Sequence, residues 1–207
     1  MKRLMGMLLF VVLVGASAVS AGTLSKQERD ALVKELKKSE KMLKDATKGL
    51  SGEQWKFKAA PERWSVQDCL EHLTLTEDFI LNRVRNDLLK TPVTPVDAAK
   101  AAETDAFILK NIPDRTNKAT APEPLRPTGK WASPQEMLKE FSARRKKTIE
   151  YVKSTQDDLR AHKAPSPVGR DFDGYNWLML ITAHTERHTA QAIEVKTSPN
   201  YPKKKGY

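Results

Sequence analysis

Residues Asn176 to Lys196, NWLMLITAHTERHTAQAIEVK, predict one long helix near the carboxyl end of the 207-residue chain. Apolar side chains recur along it at helical spacing and mark the face that would be buried: Trp177, Leu178, Ile181, Ala192 and Val195. His184 and His188 fall at or beside this face, because four residues advance the side-chain direction by only about 40°. Two imidazoles that face the interior of a helical bundle need a partner, and a bound metal ion is the simplest one.

Three further helices are predicted before this one, over residues 24–49, 65–90 and 133–155. Each carries apolar residues at helical spacing and charged residues on its other faces. Ser65, with Asp68 three residues later, is close to a capping box. Ser133 followed by Pro134 is a typical helix start.

The segment 91–132 contains six prolines and is too long for a tight turn. A short helix over about residues 96–110 is predicted to interrupt it. We expect this segment to cross over the bundle, so that the second and third long helices run parallel. No strand alternation and no repeat is predicted. The predicted fold class is therefore all-α, a four-helix bundle with a long crossover connection between helices 2 and 3.

The first 21 residues predict a secretory signal peptide, with basic Lys2 and Arg3, a short apolar run and small residues up to Ala21. An uncleaved membrane anchor is the alternative, but the run is short for a span of about 20 residues. We expect cleavage after Ala21, a secreted or periplasmic protein, one bundle domain over residues 22–200 and a loose basic tail over 201–207. With Cys69 as the one cysteine, an intramolecular disulfide is excluded.

The net charge of +10 is spread over all the predicted helices, and clusters occur only at residues 144–147 and 203–205. This distribution predicts a solvated basic surface. We expect a small-molecule substrate, no nucleic-acid partner and no stable membrane insertion after signal cleavage; a homodimer is one option for assembly. The alternative is a surface that binds anionic polymers or membranes.

His72, on the second predicted helix, is the obvious third partner for His184 and His188. Three neutral imidazoles would leave a divalent metal with an open position, as in catalytic zinc sites. Imidazole suits zinc, nickel, iron and copper, so the ligands alone do not choose the metal. The competing interpretation is that the three histidines are solvated or singly hydrogen-bonded.

Other polar residues near the histidines have weaker claims. Gln191 shares the face of His188 and could orient a metal-bound water or a histidine ring; a plain buried glutamine is the alternative. Cys69 is predicted to be a small core residue and His162 a loop residue, each with a minor chance of binding metal. Glu71 and Glu186 point well away from the neighbouring histidines and are predicted to lie on the surface.

Two motifs resemble the DinB-like superfamily: Trp64-Ser65-Val66 with His72-Leu73 shortly after, and His184-Thr185-Glu186-Arg187-His188-Thr189-Ala190-Gln191. The resemblance covers about residues 25–200. It implies a four-helix bundle in which one histidine of helix 2 and two of helix 4, here His72, His184 and His188, bind a divalent metal, often zinc or nickel. Some members that the chain resembles are thiol-dependent transferases or isomerases. The predicted export argues against a cytosolic thiol cosubstrate.

The sequence therefore predicts an exported, divalent-metal-binding helical bundle. Its expected activity is that of a metal-dependent hydrolase or transferase with a three-histidine site, in which Gln191 is the candidate catalytic residue. The alternative is a non-catalytic metal-binding or structural protein.

Overall fold

The structure, a computed structural model, describes residues 22–203; the predicted signal peptide and residues 204–207 lie outside this range. The elements follow in chain order: α1 (Lys26–Thr47), α2 (Gly52–Lys56), α3 (Val66–Asn86), α4 (Ala98–Asn111), α5 (Pro134–Ser154), β1 (Lys163–Pro165), β2 (Asp171–Asp173) and α6 (Gly174–Lys196). Short 3-10 turns occur at Leu88–Lys90 and Glu123–Leu125. Within the described range, no helix combines the length and apolar character that crossing a membrane requires.

The helix starts are set by side-chain caps. The Ser65 hydroxyl accepts from the Asp68 amide at 3.1 Å, and the Asp68 carboxylate accepts from the Ser65 amide at 2.9 Å, so the predicted capping box is confirmed. The Ser133 hydroxyl caps α5 as expected. α6 begins at Gly174, two residues before the predicted start, because Asp173 caps it by accepting from the Asn176 amide.

The four long helices α1, α3, α5 and α6 form the bundle, and each of α1 and α3 packs against both α5 and α6. Their core side chains fall into two clusters. One cluster joins the start of α1 and α6 to the end of α3 and α5. The other joins the end of α1 and α6 to the start of α3 and α5. α3 and α5 therefore run parallel, as the crossover prediction requires, and α1 and α6 run the opposite way.

The crossover connection, residues 87–133, carries α4 and both 3-10 turns. α4 lies against α6, with Ile108 fully buried and Ile112 buried at its end. The second turn buries Leu125. These anchors hold the connection on the bundle, beside the face of α6 that carries the histidines.

The expectation of no strand is wrong at one place. β1 and β2 form a short antiparallel hairpin that pairs Ala164 with Phe172. The turn between them contains Gly169 with a φ of 73°, a conformation that favours glycine. The pairing is too short for an alternating pattern to be visible in the sequence, and Phe172 anchors it in the core.

The expectation of a loose tail from residue 201 is also wrong for the first residues of that tail. Tyr201 packs edge-to-face on Phe57, with 5.4 Å between ring centroids. The Gln54 side chain donates to the Pro202 carbonyl at 2.9 Å. The chain after α6 therefore stays on the bundle at least to Pro202.

A buried ion pair lies in the middle of the bundle. The Arg145 guanidinium, which is 0 % exposed, pairs with the Glu77 carboxylate and donates to the Leu36 carbonyl, the Ser39 hydroxyl and the Thr185 hydroxyl. These partners belong to α3, α1 and α6, so one side chain of α5 contacts all three other long helices.

The sequence cluster 144–147 is accordingly not one basic surface patch. Arg145 lies in the core, and its neighbour Arg144 forms surface ion pairs with Asp78 and Glu140. Lys146 lies within 3.7 Å of Glu150. The positive charge of this segment is therefore mostly compensated where it lies.

We expect Arg145→Met to lower the free energy of unfolding by about 3–5 kcal/mol, because it leaves the Glu77 carboxylate buried without its counter-charge. Arg144→Met is the matched control; it removes exposed pairs and should cost less than about 1 kcal/mol. Urea unfolding followed by circular dichroism measures both. Equal losses in the two variants would show that the buried pair does not hold the bundle together.

Candidate metal centre

The structure brings His72, His184 and His188 together where α3 crosses α6. The Nε2 atom of His184 lies 3.1 Å from Nε2 of His72 and 3.0 Å from Nε2 of His188. One ligand atom from each ring lies within 4.8 Å of the other two. The three predicted residues therefore form one cluster, in which the Nε2 atoms face one another.

The far nitrogen of two of these rings faces an oxygen acceptor. Nδ1 of His72 lies 2.7 Å from the Leu125 carbonyl, and Nδ1 of His188 lies 2.9 Å from Oε1 of Gln191. A neutral imidazole has one N–H, and each acceptor draws it to Nδ1. Nε2 of His72 and of His188 therefore presents a lone pair to the centre of the cluster.

His184 differs from the other two histidines. Its Nδ1 is buried and has no hydrogen-bond partner among the described residues. Its Nε2 faces two lone pairs, and a single N–H at that position could satisfy only one of them. An ion at the centre would accept all three lone pairs at once, which hydrogen bonding among neutral rings cannot do.

Burial keeps the rings neutral. His72 and His188 are 3 % and 7 % exposed, and His184 is partly exposed. Burial is the main cause that lowers the pKa of His188 to about 3, and repulsion from His72 adds to it. Burial also lowers the pKa of His72 and, together with the neighbouring imidazoles, holds the pKa of His184 well below its usual value. Neutral imidazole is the form that binds metal.

Trp64 closes one side of the cluster. Its ring lies 4.9 Å from the ring centroid of His72 and stacks on His188 at 5.6 Å. Because Trp64 directly precedes the cap residue Ser65, its position follows from where α3 begins. The indole is a fixed apolar wall against the two rings.

Gln191 contacts a histidine ring through the hydrogen bond to His188. The sequence suggested that Gln191 orients either a metal-bound water or a histidine ring, and this contact fits the second role. The same Oε1 also accepts from Nη1 of Arg115 at 3.1 Å, a residue of the crossover connection that the sequence analysis missed. Nearby, Arg187 donates to the carbonyls of Asp114 and Asn117, which ties this part of the connection to α6.

The prediction that Glu71 lies on the surface is wrong; its side chain is buried and 1 % exposed. The reason is the crossover connection, which folds over it. The carboxylate accepts from the amides of Thr128, Gly129 and Lys130 at 2.7, 2.9 and 3.2 Å. Glu71 thereby fastens the segment just after Leu125, whose carbonyl faces His72.

The remaining candidates lie outside the cluster. Nδ1 of His162 pairs with the Thr91 carbonyl at 2.7 Å. Cys69 is fully buried, and burial raises the pKa of its thiol, so its interpretation as a core residue is confirmed. Glu186 points toward α1, where it pairs with Lys38 at 3.1 Å.

The three residues fit a divalent metal. Ligands at zinc–nitrogen distances of 2.0–2.1 Å in a tetrahedral site lie about 3.3 Å apart, close to the two Nε2 separations seen here. Within residues 22–203 this group contains no carboxylate or thiolate, so the protein supplies three imidazoles. That donor set is typical of sites that keep a position open for a further ligand.

The protein is thus of the class of four-helix bundles that carry a cluster of three histidines. The sequence profile of the DinB superfamily matches residues 35–192. The chain belongs to the DinB superfamily. It is 26% identical over 149 residues to the uncharacterized protein YuaE of Bacillus subtilis, which covers 72% of this chain and 87% of that protein. The fold is also similar to that of YfiT from Bacillus subtilis, described as a probable metal-dependent hydrolase with an unusual four-helix bundle topology. That likeness has a TM-score of 0.52 at 17% identity and covers 84% of this chain and 89% of the YfiT chain.

The lowered pKa values predict that the metal-free protein loses stability in acid. Below pH 6.5 the unfolded chain binds protons at its histidines, whereas His188 in the folded chain, with a pKa of about 3, does not. Stability is therefore present above about pH 6.5 and falls as the pH drops toward 3; between pH 7 and 5, His188 alone accounts for about 2 kcal/mol.

Urea unfolding at pH 7 and pH 5 in the presence of a chelator measures this loss. His188→Gln, which has no group that titrates in this range, should remove that part of the pH dependence. An unchanged pH dependence in the variant would contradict the assignment of a buried, neutral His188.

Proposed function

We propose that this protein is a metal-dependent enzyme, a hydrolase or a transferase, that holds one divalent ion through His72, His184 and His188. The observation that carries the proposal is the convergence of three Nε2 atoms, two of which are fixed as lone-pair donors by acceptors on their far side. Zinc and nickel are the metals that we propose first. The description of YfiT as a probable metal-dependent hydrolase supports the same class.

The chain's own groups suit such a site. The Leu125 carbonyl and Gln191 hold the His72 and His188 rings in one orientation, and Trp64 excludes water from one side. Of the three ligand residues only His184 is partly exposed, although its Nδ1 atom is buried. A bound divalent ion would supply Lewis acidity, lowering the pKa of a water or thiol and polarising an electrophile.

Gln191 is a positioning residue in this proposal, because both hydrogen-bond partners of its carbonyl oxygen are protein groups. Its role is to keep the His188 proton on Nδ1.

We also propose that the protein is exported, acts on a small molecule and binds neither nucleic acid nor membrane stably. Export is supported by the sequence of residues 1–21. The ion pairs of Arg144 and Lys146 and the burial of Arg145 support the absence of a nucleic-acid surface, since they compensate the strongest internal cluster of positive charge.

The mature chain should bind about one equivalent of zinc or nickel, and removing the metal should lower the melting temperature. Binding to the folded state alone at 100 times the Kd adds about 2.7 kcal/mol, or roughly 5–10 °C for a chain of this size. Elemental analysis and thermal melting with and without chelator measure both effects.

His72→Gln, which keeps a polar side chain of similar size, is the variant that should lose both the metal and the thermal shift. His162→Gln is the matched control, because that histidine lies outside the cluster and should leave both unchanged. A wild-type protein that, after reconstitution, holds less than about a tenth of an equivalent of metal would contradict the proposal.

Catalysis is tested with p-nitrophenyl acetate as a chromogenic ester. The zinc-loaded protein should hydrolyse it about tenfold or more faster than the chelated protein, and His72→Gln should match the chelated protein. The enzyme assignment would be overturned if the stably loaded protein neither hydrolyses esters nor transfers acyl groups to an added thiol in a metal-dependent way. That result would favour the non-catalytic metal-binding alternative.

A further inference from the structure

The side-chain oxygen of Gln191 receives two hydrogen bonds. Nδ1 of His188 donates to it at 2.9 Å, and Nη1 of Arg115 donates to it at 3.1 Å. Arginine is a donor without acceptor atoms, so the Gln191 atom that faces Arg115 is the oxygen. The same atom faces His188.

Arg115 is itself held in a fixed direction. Its Nε and Nη2 donate to the two carboxylate oxygens of Glu194 at 2.6 and 2.9 Å, a bidentate pair. Glu194 lies on α6 three residues after Gln191, whereas Arg115 comes from the crossover connection. Because the guanidinium is planar and Glu194 holds its other edge, the third nitrogen, Nη1, points at Gln191.

The orientation of this amide decides which nitrogen of His188 carries the proton. A side-chain amide turned by 180° would present its NH₂ group to His188. Nδ1 would then have to accept, and the single proton of the neutral ring would move to Nε2, the atom that faces His184. That tautomer has no lone pair for a metal at Nε2.

The tautomer of His72 cannot change in this way. Its Nδ1 faces the backbone carbonyl of Leu125, which cannot exchange its oxygen for a donor. Of the two rings with an oriented far nitrogen, His188 is therefore the one whose tautomer depends on a rotatable side chain.

We propose that Arg115 is a positioning residue of the metal site: by donating to Gln191 it fixes the amide orientation that keeps the His188 proton on Nδ1 and the Nε2 lone pair free for the metal. The inference rests on the proposed metal site, but the tautomer can be observed without metal. Turning the amide would place its NH₂ group against the Arg115 donor, so the turned state is disfavoured as long as Arg115 is in place.

Charge alone predicts the opposite effect on affinity. Arg115 is a cation close to His188, and it repels added positive charge there. Removing it would strengthen the binding of a divalent cation if electrostatics dominated. A loss of affinity on removing Arg115 therefore points to the orientation of the ring.

The test is Arg115→Met in the full mature chain. Zinc affinity, measured by competition with a chromophoric chelator, should fall about two- to tenfold, because only the fraction of molecules that keep the Nε2 lone pair of His188 free can bind the metal. In the metal-free variant, ¹⁵N NMR of labelled histidine should show His188 shifting from the Nδ1–H toward the Nε2–H form.

A second background separates orientation from general support of the fold. Gln191→Glu replaces the amide by a carboxylate, which accepts from His188 on either oxygen and has no wrong orientation. In that background Arg115→Met should no longer weaken zinc binding, and the lost positive charge can strengthen it, so the effects of the two substitutions should be non-additive. Equal losses in both backgrounds would overturn the proposal.

Arg126→Met is the matched control, since Arg126 is exposed on the same connection and donates to the Ala121 carbonyl; its zinc affinity and His188 tautomer should be unchanged. If Arg115→Met fails to fold, Glu194→Gln loosens Arg115 without removing it and should produce smaller changes of the same sign.

If Arg115→Met and Glu194→Gln keep the zinc affinity of the wild type and an unshifted His188 tautomer, then Arg115 merely anchors the connection. A wild-type protein that binds no zinc would refute the metal site itself, and the two failures are thereby distinguished.

Discussion

The Arg145 guanidinium is the group that the four long helices share. It is fully buried, and it remains satisfied only while Glu77 of α3, Leu36 and Ser39 of α1 and Thr185 of α6 stay at their places around it. Burying a charge without such partners costs several kcal/mol, so this set of contacts disfavours any sliding of the helices. Thr185 adjoins His184 in the chain, and Glu77 lies five residues after His72. The contacts that fix α3 against α6 thus also fix the distance between the histidines of the two helices.

The crossover connection supplies the contacts that orient two of the three histidine rings. A bundle of four helices brings three imidazoles together, but it does not determine where their protons lie. The connection supplies the Leu125 carbonyl for His72 and Arg115 for the amide that faces His188, and Glu71 fastens it by accepting from three successive amides. This segment returns the chain to the other end of the bundle, and on the way it delivers two contacts to the site.

Local patterns were sufficient to predict the long helices and the capping box at Ser65, because periodicity and capping act over a few residues. The set of His72, His184 and His188 needed in addition the resemblance to the DinB-like superfamily, because its members lie on distant segments. Residues whose role depends on a distant segment were missed. Nothing in the sequence shows that residues 128–130 would cover Glu71, or that Arg115 would reach Gln191. Arg145 had a visible signal, since it lies four residues from both Phe141 and Ile149 on the buried face of α5, and its place in a run of basic residues concealed it.

The central claim is that three imidazoles share one metal ion, and X-ray absorption spectroscopy of the zinc-loaded protein examines it most directly. A three-histidine site predicts a first shell of nitrogen and oxygen at about 2.0–2.1 Å, with the outer-shell scattering of three imidazole rings and no sulfur. A shell of oxygen ligands alone, fewer than three imidazoles, or a Cys69 sulfur at about 2.3 Å from the zinc would contradict it.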